Sequence, residues 1–386
     1  MHGSDAAKTT AAALTDIKDL DTPAVIIDLD RVEENLRIGA EYAARAGATL
    51  RPHTKTHKST YLAQRQLAHG ASGICVAKVS EAEVMAAAGF KDIFIPNTIV
   101  GVAKVARLRT LIDEGVDLAV GVDHLDQARS LSTMMTGAAR PLGVLIEVDT
   151  GSHRGGVQPS DAVGLGRLVA VLPGLDVRGV YAFEGYQYSA ATLEALAQVT
   201  WDDQETLVRV GQALGTVLGI APVISAGSTP ALSGNVPNHP GITELRFGTY
   251  LFNDAAQAKV MGTTALCAAH VLATVVARPA RDRAILDSGS KTLTMDAWAP
   301  GICYTGCYGL VCDLNGEPYP GLVVTGLSEE HGIVKGAGVD NLEVGQKVLV
   351  LPNHICPVIN LFDEVYGVRH RRVEMVLPVE ARGRLQ

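Results

Sequence analysis

The hydrophobic positions of this chain fall into two textures. From residue 30 to about 265, short apolar runs alternate with stretches in which apolar residues recur every three or four positions. TLRPH, GICVAK, DIFIPN, LAVGVD, GVLIEVD, VRGVYAF, PVISAG and ITELRFG are the runs, and they predict strands. SEAEVMAAAG, AKVARLRTLIDEG, HLDQARSLSTMMTG and the long TLEALAQVTWDDQETLVRVGQALGTVLG carry the helical period. So does DRVEENLRIGAEYAARAGA, where Val32, Leu36, Ile38 and Tyr42 fall near one side. About eight strands alternating with helices over some 230 residues is the count and length of a (β/α)8-type barrel. A doubly wound open sheet is the rival, but no GxGxxG follows an early strand.

After residue 266 the texture changes. AAHVLATVVARP, RAILDSG, PGLVVTGLSEEHGIV, QKVLVLP and RVEMVLP are β-rich, with turn residues between them. The fold expectation is therefore α/β: a barrel over 30–265, then a mostly antiparallel β domain over 266–386. The early strand at 21–29, containing AVIIDL, is read as packing with the β domain. The first twenty or so residues are polar and alanine-rich and predict a frayed start.

A length of 386 residues exceeds what one core usually supports, which agrees with two domains. Lys+Arg 33 against Asp+Glu 41 leaves a net charge of −8 and no basic run, which excludes nucleic acid as the expected partner. No apolar run reaches the roughly 20 residues of a membrane span, and the start MHGSDAAKTT lacks the order of a signal peptide. A soluble, cytoplasmic protein is expected. The 6 cysteines are few for this length, and those in CYTGCYGLVC do not match paired zinc spacing, so they read as reduced thiols in strands.

Four constellations could carry chemistry. Arg51-Pro-His53-Thr-Lys55-Thr-His57-Lys58 follows a predicted barrel strand, the end where barrels place function. It reads either as a site for an anion or aldehyde with Lys55 as nucleophile, or as a solvated basic turn. Gly227, Ser228 and Thr229 after VISA, with Gly248 and Thr249 after TELR, offer backbone N–H groups and hydroxyls where barrels bind phosphate. His354 and Cys356 stand two apart in LPNHICP; on a strand they would share a face and converge on a metal, or they occur there by chance. Arg154, in EVDTGSHRGG, reads equally as a cofactor contact or as a structural partner of Glu147.

Together and in this order, these pieces resemble the pyridoxal-phosphate enzymes of the alanine-racemase-like fold (fold type III). More narrowly, they resemble the D-serine dehydratase/D-threonine aldolase family. The resemblance runs from Asp21 to Arg384; RPHTKTHK followed by GICVAKVSEAE is its most specific part, and EVDTGSHRGGV, ISAGSTP, LDSGSK, EEHG and PNHICP supply the rest. It implies that Lys55 binds pyridoxal phosphate covalently, and that Gly227, Ser228, Thr229, Gly248 and Thr249 hold its phosphate. It implies Arg154 against the cofactor and His354 and Cys356 as ligands of a divalent metal. It implies a homodimer acting on a small D-3-hydroxy amino acid. The Cys356 thiolate favours zinc over manganese or magnesium.

The branch turns on detail. Aldolases of the family resemble one another in having aspartate where this chain has Cys356, and a glycine-rich phosphate turn where it reads Ala226-Gly-Ser-Thr-Pro230. Their histidine-bearing AYHG stretch is here AFEGYQYS (Ala182–Ser189), with no histidine. The C-terminal PVEARGR is closer to the aldolases, and Phe183, Glu184 and Tyr186 are expected to form the substrate wall. The expected reaction is dehydration and deamination of D-serine or D-threonine to a 2-oxo acid and ammonia. The alternative is retro-aldol cleavage of D-threonine to glycine and an aldehyde. A racemase using Tyr304 or Tyr308, or a non-catalytic cofactor-binding protein, are further readings.

Overall fold

The computed structural model describes residues 15–296 and 301–386. Of the frayed start expected from sequence, residues 1–14 lie outside the described residues. Beyond them, Ile17–Asp19 form a turn of 3-10 helix capped by Asp16, and Ile17 is buried. The described residues divide into two compact units, one of residues 38–55, 62–248 and 384–386, the other of 15–37, 56–61, 249–296 and 301–383.

The first unit is an α/β barrel. Its eight strands, all parallel, are Thr49–Leu50, Ile74–Cys75, Asp92–Thr98, Asp117–Val122, Leu142–Glu147, Leu175–Tyr181, Val223–Ala226 and Glu244–Leu245. Every apolar run expected to be a strand is one. From Ile74–Cys75 onward each strand pairs with the next, and the last lies beside the first. The ring closes where the Cys75 N–H donates to the Pro52 carbonyl at 2.9 Å and His53 bridges Cys75. Helices follow the strands because the apolar period demands a buried face. In Leu193–Leu218, Leu196, Leu207, Val210 and Leu214 are buried, Thr192 caps the start by accepting from the Ala195 N–H, and Gly219, at φ 69°, ends it. The helix Pro159–Ala170, not anticipated from the pattern, starts on a proline at a position where no N–H is needed.

Among its described residues the second unit carries nine strands. Six of them, Ala269–Ala280, Arg283–Leu286, Gly309–Cys312, Pro318–Leu327, Gly332–Lys335 and Lys347–Pro352, form a closed antiparallel ring. Ala24–Asp28 extends this sheet, antiparallel to Ala269–Ala280 and parallel to Glu364–Arg369, and the hairpin partner Arg372–Pro378 ends it. Of the CYTGCYGLVC cysteines only Cys312 lies in a strand; all three are buried free thiols. No helix among the described residues is long and apolar enough to cross a membrane.

Candidate active site

Lys55 lies in a single 3-10 turn, Thr54–Thr56, directly after the first barrel strand. The turn is held on both sides: the His53 N–H donates to the Phe247 carbonyl at 3.1 Å and Thr54 Oγ1 to the Cys75 carbonyl at 3.0 Å. Around Lys55, itself exposed, Pro52, His53, Thr54, Thr56, His57 and Lys58 are all buried, so this octet is not a solvated turn. Arg51 is not part of the same surface. Its guanidinium binds Glu244 at 2.7 Å and clasps Asp92 at 2.6 and 3.0 Å, both at the starts of barrel strands.

Phe183, just past the Leu175–Tyr181 strand, brings two cations together. Lys55 Nζ lies 6.0 Å from its ring centre and Arg154 Cζ 4.1 Å. Arg154 rides on a loop that folds back onto its own strand, with Val148 bridging Val157. Asp149 organises the bend by accepting from the N–H groups of Gly151 and His153 at 3.0 Å. Gly156 must be glycine, because at φ +96° a Cβ would stand 2.7 Å from the Asp149 nitrogen. Glu147 accepts from the Tyr181 hydroxyl at 2.8 Å, and burial raises its pKa.

The turn after Val223–Ala226 is more occupied than its sequence suggests. The Gly227 N–H donates to Glu184 Oε2 at 2.5 Å, and Gln204 Nε2 donates to Glu184 Oε1 at 3.0 Å. Burial pushes the Glu184 carboxyl up to about 7. Asp203 is also pushed up to about 7, by burial and then by Glu184. Ser228 opens the helix Thr229–Ser233, and its hydroxyl donates to Gln187 Oε1. Gln187 is fully buried and its Nε2 has no acceptor within the protein. A buried orphan donor beside Ser228, first-turn amides of a helix that lack carbonyl partners, and an amine and a guanidinium over one ring suit a phosphorylated aldehyde. The residues present fit pyridoxal phosphate.

In the other unit the strand Lys347–Pro352 stops before His354, so that pair is not on a strand. His354 caps the short helix Ile355–Ile359, and Cys356 lies in its first turn. Asn353 forces the departure: its side chain donates to the Asp296 carbonyl at 2.8 Å and accepts from Thr305 at 2.6 Å. Pro357 then sits where a helix tolerates it. His354 Nδ1 donates to Asp296 Oδ2 at 2.6 Å, the carboxylate support common to metal-binding imidazoles. Cys356 Sγ lies 3.2 Å from Thr56 Oγ1 and 3.4 Å from Thr249 Oγ1, so the Thr249 hydroxyl is turned to this thiol. Burial lowers the His354 pKa, but Cys356 and Asp296 outweigh it and lift it to about 10. The same imidazole draws the Cys356 thiol below its usual value despite burial. Imidazole and thiolate with a carboxylate behind them suit a divalent ion. Among the described residues no third His, Cys, Asp or Glu completes a cluster. Asp296 and the two threonines left no sign in the sequence, being remote in it from the pair they support.

Residues 27–256 match the family described as "Alanine racemase, N-terminal domain", and residues 268–368 match "Putative serine dehydratase domain". The chain belongs to the D-serine dehydratase/D-threonine aldolase family, on the alanine-racemase fold. Within that lyase family it is 35% identical to a D-threonine aldolase of Arthrobacter sp, over 94% of this chain and 93% of that one. It is also 35% identical to a D-threo-3-hydroxyaspartate dehydratase of Delftia sp. (strain HT23), over 87% and 91%. The crystal structure of a D-threonine aldolase from Filomicrobium marinum superposes with a TM-score of 0.87 at 32% identity, covering 97% of this chain and 99% of that one. For the Delftia dehydratase the TM-score is 0.86 at 32% identity, over 94% and 98%. Two solved variants of a D-threo-3-hydroxyaspartate dehydratase replace a histidine and a cysteine two positions apart, the spacing of His354 and Cys356, and the cysteine variant is in the metal-free form.

Proposed function

We propose that this family member is a pyridoxal-phosphate- and divalent-metal-dependent lyase that dehydrates D-3-hydroxy amino acids to 2-oxo acids and ammonia. Lys55 holds the cofactor covalently, Arg154 and the turns at Gly227–Thr229 and Gly248–Thr249 hold its charged groups, and His354 with Cys356 holds the metal, zinc. Bound there, pyridoxal phosphate supplies a sink for the electron pair left at Cα. A divalent ion on the imidazole–thiolate pair supplies Lewis acidity for the β-oxygen.

The rest falls to the chain's own groups. Once the substrate amine has displaced it from the cofactor, the Lys55 amine would take the Cα proton; that proton and the hydroxide lost from Cβ make water, and the enamine left would tautomerise and hydrolyse to 2-oxo acid and ammonia. Phe183 gives Lys55 and Arg154 a common apolar floor. Glu184, fixed by Gly227 and Gln204, keeps the phosphate turn in register with that floor.

The observation that carries dehydration over retro-aldol cleavage is Cys356, two residues after a carboxylate-supported histidine; a D-threo-3-hydroxyaspartate dehydratase has a histidine and a cysteine at the same spacing, each the target of a solved variant. The second reading, D-threonine aldolase, draws on the likeness to the Arthrobacter enzyme over 94% of the chain. Product analysis separates them. With pyridoxal phosphate and zinc, D-serine should give pyruvate and D-threonine 2-oxobutanoate, each with ammonia, and the L-enantiomers should give neither. Glycine and acetaldehyde from D-threonine would establish the aldolase instead.

A further inference from the structure

The β-rich unit contains a cavity that the reaction above does not use. It measures about 210 Å³, and one side is apolar, formed by Ile17, Ile26, Leu349 and Val368. The polar lining is His270, Arg31, Arg371, His370 and Asn315, together with the Asp28 carboxylate, whose charge Arg31 offsets. His270 sits in the strand Ala269–Ala280 opposite Ile26, is 3% exposed, and its Nε2 has no hydrogen-bond partner. The buried Nε of Arg371 has none either. Asp16 occupies the far end of Arg371, accepting from Nη2 at 3.1 Å. Arg31 donates to the Cys267 carbonyl at 2.8 Å and pairs with Asp28 at 3.4 Å. Gly316 keeps the space clear, since a Cβ there would come within 3.3 Å of Arg31 Nη1 and 3.5 Å of His270 Nε2.

Buried nitrogens without partners are rare because their desolvation goes uncompensated. Two of them lining one cavity call for a partner that the chain does not supply: an acceptor for the Arg371 Nε–H and, in its Nε2–H tautomer, for His270. The volume far exceeds what one water needs, and the apolar side offers water no bonds. Burial, with Arg31 adding to it, pushes the His270 pKa down to about 3, so the imidazole is neutral and shares its cavity with the Arg371 cation. An occupant must then carry acceptor oxygens at one end and a short hydrocarbon body at the other.

We infer that this cavity binds a short-chain carboxylate, its oxygens between His270 Nε2 and Arg371 Nε and its chain against Ile26 and Leu349. The inference stands apart from the reaction assigned above. Isothermal titration of the holoenzyme with butyrate, 2-oxobutanoate and inorganic phosphate tests it. Butyrate should bind saturably at one site per chain and more tightly than phosphate, which cannot use the apolar side. His270→Leu and Arg371→Gln should each weaken butyrate by about tenfold, the loss of one buried hydrogen bond, while kcat stays at the wild-type value. Equal binding in both variants would move the site elsewhere, and tighter phosphate binding or no carboxylate binding would overturn the inference. Should His270→Leu fail to fold, the half-buried Arg371→Gln and a butyrate-soaked crystal of the wild type decide: density in this cavity supports the inference, and ordered water alone refutes it.

Discussion

Arg51 belongs to the most family-specific motif of the chain, yet its contacts make it a structural residue. Its side chain is 14% exposed and bonds Glu244, itself 7% exposed, at 2.7 Å. Glu244 is further tied to Ser225 at 2.6 Å, and Ser225 accepts from buried Arg246 at 2.6 Å. Arg51→Met keeps the unbranched stem and removes the guanidinium and its charge. It leaves the Glu244 carboxylate buried without its guanidinium, a loss of about 3–5 kcal/mol. The clasp on Asp92, which is 42% exposed, adds only about 0–1 kcal/mol because water screens it. The folded-to-unfolded ratio should therefore fall by at least about two powers of ten. Urea unfolding of the holoenzyme by circular dichroism, at low and high salt, measures this; a buried pair should respond little to salt. Adding Glu244→Gln should recover part of the loss, since the stranded charge is then gone. Below the melting range, turnover per folded molecule should stay near wild type. A stability loss under about 1 kcal/mol, or a collapse of kcat in well-folded Arg51→Met, would refute the structural assignment.

Lys55→Ala should neither turn over D-serine nor retain the cofactor covalently after borohydride reduction; a labelled peptide elsewhere in the chain would name a different lysine. Chelation should halt turnover and zinc restore it, and Cys356→Ala should purify with less zinc by elemental analysis. Manganese or magnesium alone in native protein would contradict the zinc assignment. Glu184 and Asp203, both raised to about 7, retain protons in the fold that the unfolded chain has released above its ordinary carboxyl range. Their contribution is thus most favourable at low pH and is lost as pH rises through about 7. Thermal midpoints should fall from about pH 5.5 to 8 more steeply in wild type than in Asp203→Asn, and parallel slopes would show that Asp203 is not raised.

The barrel was legible because each strand's partner is its neighbour in the chain, so apolar rhythm and topology are the same information. The residues of the site divide differently. Lys55, Arg154 and the Gly227 turn could be nominated because each follows a strand candidate, at the end where barrels gather their functional groups. What could not be read is who competes for those groups. That Glu184 takes the Gly227 N–H, or that Asp296 stands behind His354, depends on contacts across dozens of residues with no periodicity to reveal them. His354 and Cys356 were assigned to a strand because LPNHICP continues an apolar run. Asn353, tied to Asp296 and Thr305, ends that strand early, and the pair converges through a helix start instead.

The strand Ala24–Asp28 precedes every other strand among the described residues, yet both of its partners are synthesised late. Its two neighbours, Ala269–Ala280 and Glu364–Arg369, follow it by more than 240 and 330 residues. At about 5–20 residues per second, these apolar residues wait roughly 10–50 s for the first partner and longer for the second. The barrel's closing strand, Glu244–Leu245, has by then already appeared. Nascent chains should therefore show a protected barrel and a chaperone-accessible N-terminal strand. Translation arrested before residue 364 leaves that strand with one bare edge, open to pairing with another chain.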